Sequence, residues 1–179
     1  MHLRGLAAAL GAAWVCCGAP VAAQSPADAR FVTNEVRITG NVERSLALSV
    51  PDLQRLPVVH VEDRHSVREK GNATETVRQL TGCRLRDVLD AAGLAEKVHR
   101  DLRKSYVVAA ASDAYEVVFS WGELYNSPIG DSVLVVYAAD GAPLPDSEGR
   151  IALVSLKDLR TGPRHVKWLA RVDVRLAAD

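Results

Sequence analysis

Cysteine is scarce in this chain. Of three among 179 residues, Cys16 and Cys17 fall in an apolar N-terminal stretch and only Cys83 lies beyond it. One remaining thiol excludes an internal disulfide, even in an oxidising compartment. A surplus of one charge is missing too, since 22 basic residues face 22 acidic ones. Without a basic patch, nucleic acid and anionic membrane are poor partners. Beyond residue 23 no apolar run approaches the roughly 20 residues that a membrane-crossing helix needs. The mature chain is therefore expected to be soluble, with no membrane span. Nor does a glycine-rich phosphate loop, a paired-carboxylate motif or a Ser-His-Asp order speak for a hydrolase. Internal repeats and low-complexity tracts are likewise lacking.

Residues 1–23 carry the pattern of an export signal. Arg4 gives a positive start, Leu6 to Val15 a short apolar core, and Val21-Ala22-Ala23 a small-residue cleavage site before Gln24. The core is too short to span a bilayer, and Cys16 and Cys17 read as apolar filler within the signal. Cleavage near Ala23 would place the mature chain in the periplasm or outside the cell. What remains is one domain's worth of sequence, long enough to bury about 70% of its unfolded surface without staples.

Residues 24–34 are polar and alanine-rich and read as a flexible lead-in, and residues 35–179 read as a single domain. Glu35-Val36-Arg37-Ile38-Thr39 alternates as a half-buried strand does, and Gly40-Asn41 marks a turn. Leu46, Leu48 and Val50 alternate again. Ser49-Val50-Pro51-Asp52-Leu53 predicts a cap and a short helix ended by Pro57, after which Val58-Val59-His60-Val61 reads as a strand. Residues 63–76 are charged and polar around Gly71-Asn72 and predict an exposed hairpin or loop. Leu85, Val88, Leu89 and Ala92 recur at helical spacing, with Gly93 suited to the left-handed position after a helix. Residues 95–104 form a charged connection. Tyr106 to Ala111 and Tyr115 to Phe119 predict strands around a Ser112-Asp113 turn, and Ser120-Trp121-Gly122-Glu123 has the spacing of a capping box. The β-branched run from Ser132 to Tyr137 predicts a fully buried strand. Ile151 to Val154 and Val166 to Val174 add two more. Strands outnumber helices without alternating with them, which predicts an α+β fold.

Several short motifs follow one another in a fixed order. Thr81-Gly82-Cys83-Arg84-Leu85-Arg86-Asp87-Val88-Leu89 precedes Asp113-Ala114-Tyr115 and Ser120-Trp121-Gly122-Glu123-Leu124. The turn Asp140-Gly141-Ala142-Pro143-Leu144-Pro145 and the segment Lys167-Trp168-Leu169 come next. Each is weak alone, and the order and spacing make the combination specific. Over residues 36–174 the chain resembles the molybdopterin-binding domain of sulfite-oxidase-type oxidoreductases. The resemblance implies a sulfite-oxidase-like fold, mostly strands with a few short helices, and a molybdopterin-dependent oxidoreductase activity. It implies that Lys167-Trp168-Leu169 runs beside a pterin phosphate. Asp113, Tyr115, Arg150, His165 and Lys167 are then the cofactor-binding candidates.

Two departures bear on chemistry. The family places a molybdenum-ligating cysteine upstream of a Gly-x-x-Leu helix start, whereas Val59-His60-Val61-Glu62-Asp63-Arg64-His65 contains none. Cys83 instead stands at the helix entrance, where the family has a small apolar residue. Thiolate is the soft ligand such a centre prefers, so its loss weakens retention of molybdenum. The family's arginine in Gly-Pro-apolar-Arg-apolar-Val is replaced by Ala152, and Arg150, two residues earlier on the same strand face, is the candidate substitute. Ala114 also replaces the glycine of the family's Asp-Gly-Tyr turn, so a slightly different backbone is expected there. The family's N-terminal cofactor-contacting segment, with histidine and arginine, is not evident before Val36.

Each candidate has a plainer role beside the functional one. His60, Glu62 and His65 suit zinc or iron by ligand type, but a further ligand is not identifiable, and a solvated strand end is the reading favoured. Cys83 at a helix start is either a reactive thiol or, as favoured, a small apolar plug. Asp113 and Tyr115 either orient a ligand or form a turn. Trp121 and Trp168 read as core packing. Arg164, His165 and Lys167 form a basic cluster that suits an anion or, equally, protects a strand edge. Asp158 and Arg160 read as an exposed turn.

The reading that follows is an exported single-domain protein that has shed parts of a catalytic apparatus, with no catalytic residue and no metal ligand assigned. It would be a periplasmic binding or partner module for a small anionic ligand, or for a periplasmic or membrane redox or sensor protein. One alternative is a molybdopterin-dependent oxidoreductase, or its subunit, acting on a small anionic substrate with Cys83 near the metal. Another is an accessory sensor domain for a membrane partner. Whether molybdopterin is bound stays open at this level, and molybdenum is disfavoured.

Overall fold

The computed structural model describes residues 29–69, 72–94, 102–160 and 162–177. The expected export signal, the start of the lead-in, Gly71 and residues 95–101 of the charged connection lie outside the described residues. The chain opens with strands β1 (Glu35–Gly40) and β2 (Leu46–Ser49) and the one-turn helix α1 (Val50–Leu53). Strands β3 (Val58–Glu69) and β4 (Asn72–Arg84) pair as a long hairpin that runs straight into helix α2 (Leu85–Ala92). Then come β5 (Ser105–Ala111), β6 (Glu116–Ser120), helix α3 (Trp121–Tyr125) and a 3-10 turn at Gly130–Ser132. Strands β7 (Val133–Ala139), β8 (Ala142–Pro143), β9 (Ala152–Ser155) and β10 (Leu169–Leu176) complete the domain. The α+β architecture with few short helices is the one expected.

Two sheets form. The first runs β2-β1-β10-β5-β6, and the second runs β3-β4-β7-β8 with β9 also on β7. β1 and β10, from opposite ends of the domain, pair in parallel, so the first sheet closes only when the last strand arrives. Local chemistry sets the helices. Ser49 and Asp52 cap α1 reciprocally, with Pro51 in the first turn, where its missing N–H costs nothing. α1 stops at Leu53, earlier than Pro57 suggested. α2 buries Leu85, Val88, Leu89 and Ala92 on one face and ends at Gly93 with φ 71°. At α3, Ser120 Oγ accepts from the Glu123 N–H at 3.2 Å, and Glu123 Oε2 accepts from the Ser120 N–H at 2.8 Å.

β7 explains why the core holds together. Val133, Val135 and Tyr137 pack into the main cluster with α2 and the first sheet. Leu134, Val136 and Ala139 face a second cluster that includes Leu80, Leu144 and Val154. A strand buried on both faces needs a continuous apolar run, which is what its sequence carries. Gly82 sits at a register shift between β4 and β7, where a Cβ would stand 2.2 Å from the Val135 carbonyl oxygen.

The hairpin expected over 63–76 forms, while the starts of β9 and β10 differ from expectation. The charged stretch 63–76 belongs to β3 and β4, whose pairing continues to Glu69 opposite Asn72. Backbone pairing carries a ribbon of this kind, so no apolar alternation announces it. β9 begins at Ala152, leaving Arg150 outside the strand. β10 begins at Leu169 because Trp168 takes a φ of 50° and interrupts the extended run, leaving Val166 in a single bridge to Leu153. Among the described residues, no helix is long and apolar enough to cross a membrane.

Candidate functional site

The turn between β5 and β6 is built by a side chain. Asp113 Oδ1 accepts the Tyr115 N–H at 3.0 Å, a local bond that aspartate makes readily in turns. Ala114 completes the turn at φ 74°, so an alanine here adopts the left-handed backbone that favours glycine. The Tyr115 hydroxyl donates to the Pro163 carbonyl at 2.6 Å and ties this turn to the segment that leads into β10.

Trp168 forms the facing wall. Its backbone N–H donates to Glu148 O at 3.0 Å, its carbonyl accepts from the Ser112 N–H at 3.0 Å, and its indole N–H donates to Asp146 O at 2.8 Å. Phe31 lies beside it with ring centroids 5.5 Å apart. Gly149, at φ 74°, makes room for this arrangement, since a Cβ there would stand 2.6 Å from the Trp168 Cα. Trp168 is thus a half-buried cavity wall rather than the core residue expected.

Between these segments opens a cavity of about 160 Å³ lined by Asp113, Tyr115, Gly162, His165, Lys167 and Trp168. Four of the five candidates from the sequence meet there. Arg150 does not line it. Its Nη1 donates to Asn34 Oδ1 at 2.7 Å and its Nε lies 3.7 Å from Asp146 Oδ1. The same-face argument for Arg150 fails because the strand starts two residues later. Gly162 and Trp168 were missed as lining residues. Nothing local in the sequence showed that the Gly162-Pro163 segment would face Tyr115.

Arg164 leaves the basic cluster for a structural role. Its guanidinium pairs with both carboxylate oxygens of Asp158, sits 2.9 Å from Glu123 Oε1 and lies 4.5 Å over the Phe119 ring. Asp158 is therefore held in an ion pair with a side chain only 12% exposed, not in the exposed turn expected. The Arg164 hydrogen bond holds the Asp158 carboxyl below its usual range against an opposing burial effect, with Ser155 assisting. Burial raises the Glu123 carboxyl, but the Ser120 N–H and Arg164 outweigh it and leave the group lowered.

Cys83 is fully buried in the main core, with its Sγ 4.0 Å from the Val135 carbonyl oxygen. It does not line the cavity. Burial pushes its thiol up to about 12, and the Asp87 carboxylate adds to the rise. Desolvation defeats any activation by the helix start, which overturns the reactive-thiol reading and supports the plug. His60 Nδ1 lies 3.1 Å from Thr81 Oγ1, while Glu62 engages Arg64 at 3.0 Å and Gln79 at 3.2 Å. The His65 side chain lies outside what is described. Among the described residues, no group of three or more His, Cys, Asp or Glu could hold a metal ion.

The molybdopterin implied by the resemblance finds a poor fit in these residues. The cavity, about 160 Å³, is below the roughly 300–1,000 Å³ of ordinary small-molecule sites. Among the described residues no thiolate faces it, so the soft donor that molybdenum favours is not supplied from its described lining. The family model nevertheless shows the family, and a solved structure shows the same fold. The family model described as oxidoreductase molybdopterin binding domain matches residues 22–178. Among solved structures, the sulfane dehydrogenase SoxCD from Paracoccus pantotrophus matches with a TM-score of 0.60 and 19% identity, over 78% of this chain. This chain spans 37% of that protein's length. No curated protein matches.

Proposed function

This chain belongs to the oxidoreductase molybdopterin-binding domain family, and on that footing we propose that it is a non-catalytic binding module exported to the periplasm. Its ligand is a small anion taken into the cavity between Tyr115 and Trp168. The observation that carries this reading is the place of Cys83, the one free cysteine among the described residues, sealed in the core away from the cavity. Its family's redox chemistry belongs to the cofactor, for which the protein supplies binding and orientation. With no thiolate at the cavity among the described residues, what the fold offers is a recognition site.

The lining describes the ligand further. Lys167 is exposed and makes no ion pair among the described residues, so its ammonium is available to an anionic group, with the His165 ring beside it. Asp113 on the same cavity repels a second negative charge and favours a ligand that also carries an N–H or O–H donor. Tyr115 and Trp168 supply aromatic faces for its body. The identity with SoxCD is too low to carry over a substrate.

The test uses protein purified from its native periplasm. Elemental analysis is expected to show molybdenum far below one per chain, and the mature N-terminus to lie near Gln24. Mass spectrometry after denaturation should release a small anion whose rebinding Lys167→Gln weakens. Stoichiometric molybdenum together with bound pterin refutes the proposal.

A further inference from the structure

A second cavity lies apart from the Trp168 site, between α2 and α3. Its volume is about 530 Å³, within the roughly 300–1,000 Å³ range in which small organic ligands bind. Asp90, Leu94, Leu102, Trp121, Tyr125 and Asn126 supply its walls. Trp121 and Tyr125 stand four residues apart on α3, so their side chains share one helix face. Their rings stack with centroids 5.6 Å apart and planes at 14°. Trp121 is thus a half-buried cavity wall, not the core residue that the sequence suggested.

The polar groups of the cavity lean to one sign. The Tyr125 hydroxyl donates to Asp90 Oδ1 at 2.8 Å. That bond fixes the carboxylate against the aromatic pair and leaves its second oxygen for a donor. Among the described residues, no basic side chain lines the cavity. Of the neighbouring charges, Glu43 adds a carboxylate 2.8 Å from where a Gly93 Cβ would stand. Asp87 on α2 is paired with Arg84 at 3.7 Å. Arg86 is turned to Asp131 at 2.7 Å, and Arg44 donates to the Ala91 carbonyl at 2.8 Å. Arg86 is therefore engaged elsewhere, and Arg44 offsets the negative pole at the C-terminal end of α2, so Asp90 is the charge that the described lining itself presents.

We propose that this cavity binds a small organic cation with an aromatic body, an arylalkyl ammonium. The aryl group packs against Leu94, Leu102 and the Trp121 ring, while the ammonium meets the Asp90 carboxylate and the π face beside it. Charge and aromatic surface act together here, as they do wherever ammonium ligands are held against tryptophan or tyrosine. An anion is rejected by the same groups. The site owes nothing to the reading of the Trp168 cavity.

Calorimetric titration of the purified protein with phenethylamine at neutral pH tests this, with phenylacetate as its anionic counterpart. Phenethylamine is expected to bind with a dissociation constant on the order of 1 mM, which suits so few ligand atoms. Phenylacetate should bind at least about tenfold more weakly, and Asp90→Asn should cost about tenfold for phenethylamine with melting by circular dichroism little changed. Asn126→Asp, which adds a second carboxylate, should tighten binding several-fold. No saturable heat with phenethylamine, equal binding of the two probes, or full binding by folded Asp90→Asn protein overturns the proposal. Should Asp90→Asn not fold, Asn126→Asp decides instead: tighter binding supports the site and unchanged binding overturns it.

Discussion

Ala114 and Gly141 share a positive φ, 74° and 77°, with the opposite residue choice. Left-handed backbone costs an L-residue with a Cβ about 1–2 kcal/mol. Glycine avoids that cost but gives up roughly 0.5–1 kcal/mol through its greater freedom in the unfolded chain. Ala114→Gly should therefore stabilise the protein by about 0.5–1 kcal/mol. Gly141→Ala should destabilise it by a similar amount, because nothing lies within 4 Å of the added Cβ and only conformation changes. For a domain of this size, each corresponds to a shift in melting temperature of about 2–3 °C, upward for Ala114→Gly and downward for Gly141→Ala. Urea unfolding measures both, with an unchanged m-value showing that stability alone has moved. A loss of stability in Ala114→Gly, or a neutral Gly141→Ala, would refute the reasoning. In the first case Cβ contacts at the cavity rim outweigh the strain.

The Cys83 thiol, raised to about 12 by burial and then by Asp87, should resist iodoacetamide at pH 8 in the native protein and react fully in denaturant. Rapid native alkylation, read by mass, would contradict its place in the core. Arg164→Met should cost about 2 kcal/mol, less than a fully buried pair because the Arg164 side chain is 21% exposed. The same variant reports on acid stability. Asp158 and Glu123 are both lowered in the fold, so they add stability above their unfolded values near 4, and that stability fades as pH falls through the folded values. Urea midpoints measured from neutral pH downward should fall less steeply in Arg164→Met than in the parent, and parallel curves would discount the ion pair.

Particular residues show how far the sequence reaches. The caps at Ser49 and Ser120, the left-handed end at Gly93 and the doubly buried β7 were legible because each is decided within a few residues. Candidate site residues were half legible. Asp113 and Tyr115 advertise a turn, and His165 and Lys167 advertise charge, yet the cavity arises only because Tyr115 reaches Pro163 across 48 residues. Arg150 was misplaced because strand phase was counted from residues that are not in the strand.

The chain by itself determined the strand-rich class, the helix ends and the shortage of thiol donors, since these follow from local sterics, hydrogen bonding and composition. Only the tertiary structure decided that Arg164 would abandon its basic neighbours for Asp158, that Trp168 would wall a cavity, and that Cys83 would be sealed in apolar surroundings. Those outcomes depend on which distant groups displace water from a side chain. That is a property of the packed sheets, and no stretch of sequence carries it alone.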